Sequence, residues 1–209
     1  GNTGLGLAMA AAVRGYRCVF TIPDKMSQEK IDMLKAYGAE VIVTATDLDH
    51  HHPDSYVEIA KRVARETPGS FYTDQYSNPN NPEAHYLTTG PEIWEATDGK
   101  IDSFIAGLGT GGTISGTGKY LKEKAVETGR TVRVVGPDPF GSIYKEAHEK
   151  GEWSTPSLYR VEGIGHDFMV DTLDLTVVDE VINISDRDSF LPARRLARHE
   201  GILSGGSTG

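Results

Sequence analysis

The chain has 209 residues, of which 38% are hydrophobic, enough to bury the core of one large domain or two small lobes. Its formal net charge of −9 argues against nucleic acid as the main partner, because phosphate binding needs a basic surface. No apolar run is long enough to span a membrane, and the single cysteine, Cys18, excludes an intrachain disulfide and favours a reducing cytoplasm.

Strand-like and helix-like patterns alternate along the first part of the chain. Ile31 and Leu34 share one face of a predicted helix, which Ser27 can cap and Gly38 can end as a C′ residue. The predicted elements are a glycine-rich start with an Ala-rich helix within 1–14, a strand over 17–22, a helix over 27–37, a buried strand over 40–44 and a helix over 54–65.

The same alternation continues after a polar, Asn- and Pro-rich stretch over 77–82, which predicts a crossover between two lobes. Residues 141–174 fit no single pattern. The other predicted elements are a helix over 83–96, a strand over 104–106, a helix over 113–124, strands over 132–135 and 177–184, a helix over 188–199 and a last strand that begins at 202.

This order of elements predicts an α/β fold with parallel strands and helices on both faces of the sheet. We expect two lobes of parallel-sheet αβα sandwich, a smaller one over 1–82 and a larger, incomplete one over 83–209. In such sheets the loops at the carboxyl ends of the strands bind ligands, and glycine clusters fall in loops of this kind.

The most informative of these loops is Gly-Leu-Gly-Thr-Gly-Gly-Thr at 107–113, which follows a strand and opens a helix. Its glycines let several N–H groups converge at a helix N-terminus, which favours a phosphate. A tight turn without a ligand is the alternative. Gly107, Gly109 and Gly112 also satisfy G-x-G-x-x-G, and Asp138 ends the next strand, so a nicotinamide-dinucleotide oxidoreductase stays open.

Two further glycine-rich segments lie at the ends of the sequence. Asn2 and Thr3 stand at or near the N-cap of the first helix, where they can cap it or hold a substrate carboxylate. Ser207, within Gly-Gly-Ser-Thr-Gly at 205–209, belongs to a turn and can also hydrogen-bond a ring nitrogen of a ligand. We therefore expect an internal piece of a longer enzyme, truncated at both ends.

The three loops in this order resemble the tryptophan-synthase-β-like (fold type II) pyridoxal-phosphate enzymes, and within them the cysteine synthase/cystathionine β-synthase family. The residues at 162–168 and 84–89 are more similar to the cystathionine β-synthase branch than to the cysteine synthase branch. The segments that carry the resemblance are 1–8, 23–27, 37–40, 74–78, 109–113, 138–142, 161–165 and 205–207.

The resemblance implies pyridoxal phosphate as cofactor and a role for each residue that matches the family's motifs. The cofactor would be held by Asn2 at its ring hydroxyl, by Gly109, Thr110, Gly111, Gly112 and Thr113 at its phosphate, and by Ser207 at its pyridine nitrogen. The substrate would be held by Thr3 and Gly4 with Gln75 at its carboxylate, with Tyr76 and Gly163 as walls of the pocket.

The implied reaction is β-replacement on serine or an activated serine, with homocysteine as the thiol and cystathionine as the product. Cysteine synthase, which uses sulfide, is the near alternative. The family's Schiff-base lysine precedes the Gly-Asn-Thr-Gly loop, so we expect no catalytic residue within these residues, and a lyase fragment that is inactive alone. His166 and Phe140 depart from the family pattern, which has Tyr and Glu there.

Two further expectations concern other partners. We expect no metal site, because His50, His51 and His52 are consecutive and such residues do not converge on one ion. We expect small-molecule amino acid and thiol substrates, neither nucleic acid nor membrane, a homo-oligomer, and a cytoplasmic location. A non-catalytic binding module is the third reading, because the lysine is absent from the sequence.

Overall fold

The computed structural model describes residues 2–49 and 51–209, and its internal contacts divide the chain into two compact units. One unit ends at Thr73 and the other runs from Asp74 to Gly209. The sequence places the lobe boundary later, after Pro82, so the predicted crossover over 77–82 belongs to the second unit. None of the helices in the described residues is long and apolar enough to cross a membrane.

The first unit contains a two-stranded parallel sheet, in which the partners run from Val19 with Glu40 to Pro23 with Thr44. The parallel pairing agrees with the predicted α/β class. The elements are helix α1 (Asn2–Arg14), strand β1 (Val19–Pro23), helix α2 (Gln28–Ala36), strand β2 (Glu40–Thr44) and helix α3 (Tyr56–Glu66).

The predicted apolar face of α2 forms the core of this unit, because Ile31 and Leu34 are buried in one hydrophobic cluster with residues of α1 and β1. Gly38 has φ of +85°, and its N–H donates to the Lys35 carbonyl at 2.9 Å, so it ends α2 as predicted. Ser27 occupies the N-cap position but its side chain makes no capping hydrogen bond, which corrects the predicted cap.

Strand β2 has the predicted bounds but is not a buried strand. Val43 is 50% exposed, and only Thr44 of the strand is buried. In the described sheet β2 pairs with β1 alone, and a strand with a neighbour on one side keeps part of its surface accessible. The prediction of a buried strand was therefore wrong.

The second unit contains a three-stranded parallel sheet in the order β3-β4-β5. Its elements are α4 (Asn80–Ala84), a π-helix (His85–Thr89), α5 (Gly90–Ala96), β3 (Ser103–Ile105), α6 (Gly112–Glu127), β4 (Arg133–Pro139), α7 (Tyr144–Lys150), a 3₁₀ turn (Leu175–Val177), β5 (Glu180–Ile184), α8 (Asp186–Glu200) and a 3₁₀ turn (Gly206–Thr208).

The core of this unit lies between the sheet and α6. Leu108, Ile114 and Val134 are fully buried there, together with Tyr144 from α7. The predicted last strand is wrong: Ile202 and its neighbour lie in none of the strands in the described residues, and Leu203 is 92% exposed, so the apolar pair lacks a strand partner.

The helix predicted over 83–96 begins earlier, at Asn80, and is interrupted by the π-helix. This segment packs backbone to backbone against α6. A Cβ added at Gly116 would collide with the Pro82 carbonyl oxygen, so only glycine allows this approach. The close contact fixes the start of α6 against residues 81–85.

Candidate functional site

The glycine loop, defined as residues 107–113, joins β3 to α6 as predicted. Gly111 has φ of +82°, and a Cβ there would collide with Leu173, so this position requires glycine. The Ser115 N–H is bonded to the Gly111 carbonyl at 2.9 Å. The N–H groups of Gly112 and Thr113 precede it, in the first turn, where an α-helix offers no internal acceptor.

Thr172, which the sequence did not single out, ties the glycine loop to the segment that contains Gln75 and Tyr76. Its hydroxyl lies 2.5 Å from the Thr110 carbonyl oxygen and 3.3 Å from each of the Gln75 and Tyr76 carbonyl oxygens. Because a hydroxyl has one hydrogen, it donates to the closest, Thr110. The Thr172 backbone N–H donates to the Tyr76 carbonyl at 3.2 Å.

Asn81 makes a second link between the same segments. Its Nδ2 donates to the Gln75 carbonyl at 2.8 Å and to the Thr110 hydroxyl at 3.3 Å, which uses both amide hydrogens. Its Oδ1 fills the space that a side chain at Gly112 would occupy. Asn81 therefore ties the Gln75 segment to the glycine loop and packs directly against the start of α6.

Gly163 lies along the glycine loop, as its predicted role as a wall requires. Its carbonyl oxygen is 3.2 Å from the position of a Cβ added at Gly109, and its own φ is +89°. The Gly165 N–H donates to the Leu108 carbonyl at 2.5 Å, which fixes the two segments side by side. The Tyr144 hydroxyl also stabilises the loop by donating to the Gly109 carbonyl at 2.8 Å.

Tyr76 belongs to an aromatic cluster with His166 and Phe168. The ring centroids lie 5.0 Å apart for Tyr76 and His166, 5.3 Å for Tyr76 and Phe168, and 4.1 Å for His166 and Phe168, all edge to face. The His166 backbone N–H donates to the Ser142 hydroxyl at 3.0 Å. This cluster gives the Gln75–Tyr76 segment a rigid apolar side.

The second unit thus brings most of the predicted site residues to one place. The group consists of Gln75, Tyr76, Gly109, Thr110, Gly111, Gly112, Thr113 and Gly163. Asn2 and Thr3 lie exposed in the first turn of α1, and Gly4 follows them, within the first unit. Their share in a common site stays a prediction.

Ser207 lies apart from the contacts that organise the glycine loop. It is exposed in the last 3₁₀ turn, whose flanking glycines pack against α8: a Cβ at Gly206 would collide with Phe190, and one at Gly209 with the Ser189 carbonyl. The Thr208 N–H donates to the Gly205 carbonyl at 3.0 Å within the turn. The predicted bond from Ser207 to a ring nitrogen stays a prediction.

The geometry of the glycine loop fits the phosphate of pyridoxal phosphate. The start of the 16-residue helix α6 supplies positive potential and N–H donors, and the hydroxyls of Thr110 and Thr113 add two oxygens. At Gly111 and Gly112 a Cβ would collide with Leu173 and Asn81, so only glycine lets these neighbours pack directly against the loop.

Asp138 argues against the dinucleotide reading, which needs this carboxylate on a ribose. Its side chain is fully buried, and its Oδ2 accepts the Lys145 N–H at 3.1 Å. Oδ1 is buried without a partner in the described part of the chain, and burial raises the pKa of this carboxyl to about 6. Over 2–49 and 51–209, no cluster of His, Cys, Asp or Glu could hold a metal ion.

The residues that sequence reasoning missed act through polar contacts over long separations. Thr172 lies in the stretch that fitted no pattern, and Asn81 was read as part of a crossover. Asn81 immediately before Pro82 is a turn signal, but nothing in the sequence shows that its amide faces the glycine loop. His50 lies outside the described residues, and His51 and His52 are exposed in a loop, as expected.

Comparison with known proteins identifies the family. A family model described as "Pyridoxal-phosphate dependent enzyme" matches residues 1–209. The chain belongs to this family of pyridoxal-phosphate-dependent enzymes, which confirms the predicted class, fold type and cofactor.

Curated relatives point to one branch of the family. The chain is 47% identical over its full length to cystathionine beta-synthase of Apis mellifera, 48% identical to that of Oryctolagus cuniculus and 44% identical to that of Saccharomyces cerevisiae. The chain covers 40%, 37% and 41% of those proteins, respectively, so it spans about two fifths of their length. The predicted resemblance to this branch is confirmed.

Proposed function

We propose that the natural gene product containing this chain condenses serine with homocysteine to give cystathionine and water. The observation that carries the proposal is the identity of 44–48% to cystathionine beta-synthases along all 209 residues. Bound pyridoxal phosphate supplies the electron sink that allows the serine hydroxyl to leave and the thiol to take its place.

The residues of the second unit would bind and orient the cofactor phosphate. The donors would be the N–H groups of Gly112 and Thr113 and the hydroxyls of Thr110 and Thr113. They lie at the start of α6, where the helix dipole also favours negative charge. Thr172 and Asn81 keep the loop in this shape through their hydrogen bonds to Thr110. These contacts do no bond chemistry; they place the cofactor.

The substrate side of the site would be formed by Gln75, Tyr76 and Gly163, with Thr3 and Gly4 at the substrate carboxylate. The Thr172 backbone N–H donates to the Tyr76 carbonyl at 3.2 Å, so Thr172 supports both the glycine loop and the segment that contains Tyr76. Asn2 would bind the cofactor's ring hydroxyl. Ser207 would donate a hydrogen bond to the pyridine nitrogen and leave that nitrogen unprotonated, whereas a carboxylate partner would keep it protonated. The unprotonated ring is the weaker electron sink, which suits β-elimination.

The location and assembly of the protein are also part of the proposal. A cytoplasmic location is supported by the single cysteine, Cys18, which is free and partly buried. A homo-oligomer is proposed from the family resemblance. Light scattering on the purified gene product would measure the number of subunits.

The test uses the purified gene product with pyridoxal phosphate, serine and homocysteine, and detects cystathionine by mass spectrometry. We expect cystathionine to form only when the cofactor is present. A parallel reaction with O-acetylserine and sulfide detects cysteine. If cysteine forms and cystathionine does not, the protein is a cysteine synthase. If neither product forms although the cofactor is bound, the β-replacement proposal is wrong.

A further inference from the structure

His85 occupies a position beside the glycine loop that no assigned role explains. It is the first residue of the π-helix His85–Thr89, and both of its ring nitrogens have a hydroxyl within hydrogen-bond distance. Nε2 lies 3.1 Å from the Thr113 hydroxyl and Nδ1 lies 2.9 Å from the Thr89 hydroxyl. The three side chains form one chain of hydrogen bonds that ends at Thr113, in the glycine loop.

The π-turn is what allows this arrangement. Thr89 follows His85 by four residues, and the wide π-turn keeps its hydroxyl at Nδ1 while Nε2 reaches across to α6. Single π-turns inside α-helices occur frequently at functional sites. Because the backbone of this segment at Pro82 and Tyr86 is pressed against Gly116 of α6, the imidazole is held close to the helix start.

The chain of bonds has two possible directions when the imidazole is neutral. In one, Nε2–H donates to Thr113 and Thr89 donates to Nδ1, so the Thr113 hydrogen is available for a ligand. In the other, Nδ1–H donates to Thr89 and Thr113 donates to Nε2, so the Thr113 oxygen offers only lone pairs to a ligand at the glycine loop. A phosphate accepts hydrogen bonds and repels lone pairs, so it selects the first direction.

We propose that His85 is a positioning residue for the cofactor phosphate: its Nε2–H donates to Thr113 and thereby makes the Thr113 hydroxyl a donor to the bound phosphate. The inference rests on the proposed cofactor site. Desolvation lowers the pKa of His85, so the imidazole is neutral and can serve in one tautomer. Thr113 itself is exposed at the start of α6, where an anion reaches it.

The first experiment compares the affinities of pyridoxal phosphate and pyridoxal, which lacks the phosphate, for the gene product and its variants at pH 8. His85→Phe keeps a ring but removes both nitrogens, and we expect it to weaken pyridoxal phosphate about five- to tenfold with little effect on pyridoxal. His85→Gln restores an N–H at the ε position and should recover most of the loss. His199→Gln, at an exposed histidine in α8, is the matched control.

A double-mutant cycle asks whether His85 acts through Thr113. Thr113→Val alone should weaken pyridoxal phosphate, and adding His85→Phe to it should cost little more, since the hydroxyl that His85 orients is gone. Additive losses would overturn the proposal.

The second experiment needs no substitution and keeps the proposal testable even if His85→Phe fails to fold. In protein labelled with ¹⁵N at histidine, the two ring nitrogens report which one carries the proton. We expect binding of pyridoxal phosphate to place the proton of His85 on Nε2. A proton on Nδ1 in the bound state would overturn the proposal.

The outcomes separate this inference from the cofactor site itself. If the unchanged protein binds pyridoxal phosphate no better than pyridoxal, the glycine loop is not a phosphate site and both proposals fail. If it prefers pyridoxal phosphate, but His85→Phe keeps the same preference, the cofactor site stands and the role of His85 is wrong.

Discussion

Thr172 donates its hydroxyl to the backbone oxygen of Thr110 across 2.5 Å, although 62 residues separate the two in the sequence. Through its backbone N–H, Thr172 also holds the Tyr76 carbonyl at 3.2 Å. A single buried residue thus joins the glycine loop to the segment proposed to bind the substrate.

Replacing Thr172 by valine keeps the shape of the side chain and removes the donor. The Thr110 carbonyl then loses its hydroxyl partner beside the loop, which costs about 1–3 kcal/mol of unfolding free energy. We also expect weaker binding of pyridoxal phosphate, because the loop loses its brace. Urea unfolding and cofactor titration measure the two effects. Thr176→Val, which removes an exposed hydroxyl bonded to Asp174, is the control, and equal losses in both variants would contradict the prediction.

Gly111 and Gly129 allow the effect of crowding in the glycine loop to be separated from backbone strain. Both have positive φ, +82° and +71°, but a Cβ at Gly129 meets nothing within 4 Å whereas one at Gly111 collides with Leu173. Gly129→Ala should cost about 1 kcal/mol. Gly111→Ala should cost clearly more, and it should abolish cofactor binding. Thermal unfolding of both variants tests this, and similar losses would show that the contact with Leu173 is easily relieved.

The buried carboxyl of Asp138 should make stability depend on pH. Burial raises its pKa from 3.8 to about 6, so between these values the folded chain binds more protons than the unfolded chain. The stabilising contribution is complete below pH 3.8 and is lost as the pH rises through 6. The loss amounts to about 3 kcal/mol for a shift of this size. Asp138→Asn should therefore gain stability relative to the unchanged protein as the pH rises from 4 to 7.

Asp179 provides the opposite case. Both carboxyls are tested by urea unfolding of the variants and the unchanged protein at a series of pH values. Burial raises its pKa, but the Lys122 ammonium and the Val134 N–H outweigh burial and lower it overall. Its contribution to stability is present above the unfolded-state pKa and is lost in acid. Asp179→Asn should thus lose stability relative to the unchanged protein as the pH rises. If the relative stability of both variants changes in the same direction with pH, one of the two assignments is wrong, and if neither changes, both are wrong.

A substitution at Ser207 tests the proposed chemistry without disturbing the fold. Its side chain is exposed, so Ser207→Ala should change the unfolding free energy by less than about 0.5 kcal/mol. If its hydroxyl bonds the cofactor's pyridine nitrogen, the same change should slow cystathionine formation about tenfold, which corresponds to about 1.4 kcal/mol in the barrier. Unaltered turnover with the cofactor bound would remove Ser207 from the site.

Local signals in the sequence were sufficient for most elements of the fold. The strand over 40–44 has the predicted bounds, Gly38 ends α2, and the glycine loop lies between a strand and a helix. These features depend on residues close together in the chain. The last strand failed because two apolar residues, Ile202 and Leu203, predict a strand only if a neighbouring strand is present to pair with them.

The site was predictable in its glycines but not in the side chains that hold them. A π-turn at His85–Thr89 depends on how the helix packs against α6, which no local pattern encodes. Asn81 and Thr172 are ordinary polar residues until the fold brings their hydrogen bonds to Thr110. The family resemblance pointed to the residues proposed to contact ligands and did not point to Asn81 and Thr172, which hold them in place.

Gly116 removes a side chain from the contact between α6 and residues 82–86, so two peptide backbones lie directly against each other. Such a contact has no rotamers through which one segment could move without the other. Opening of either segment therefore requires opening of both, as one cooperative unit. We expect the amides of 115–118 and 86–90 to exchange with solvent deuterium at a common rate, slower than those of the exposed stretch after Gly201.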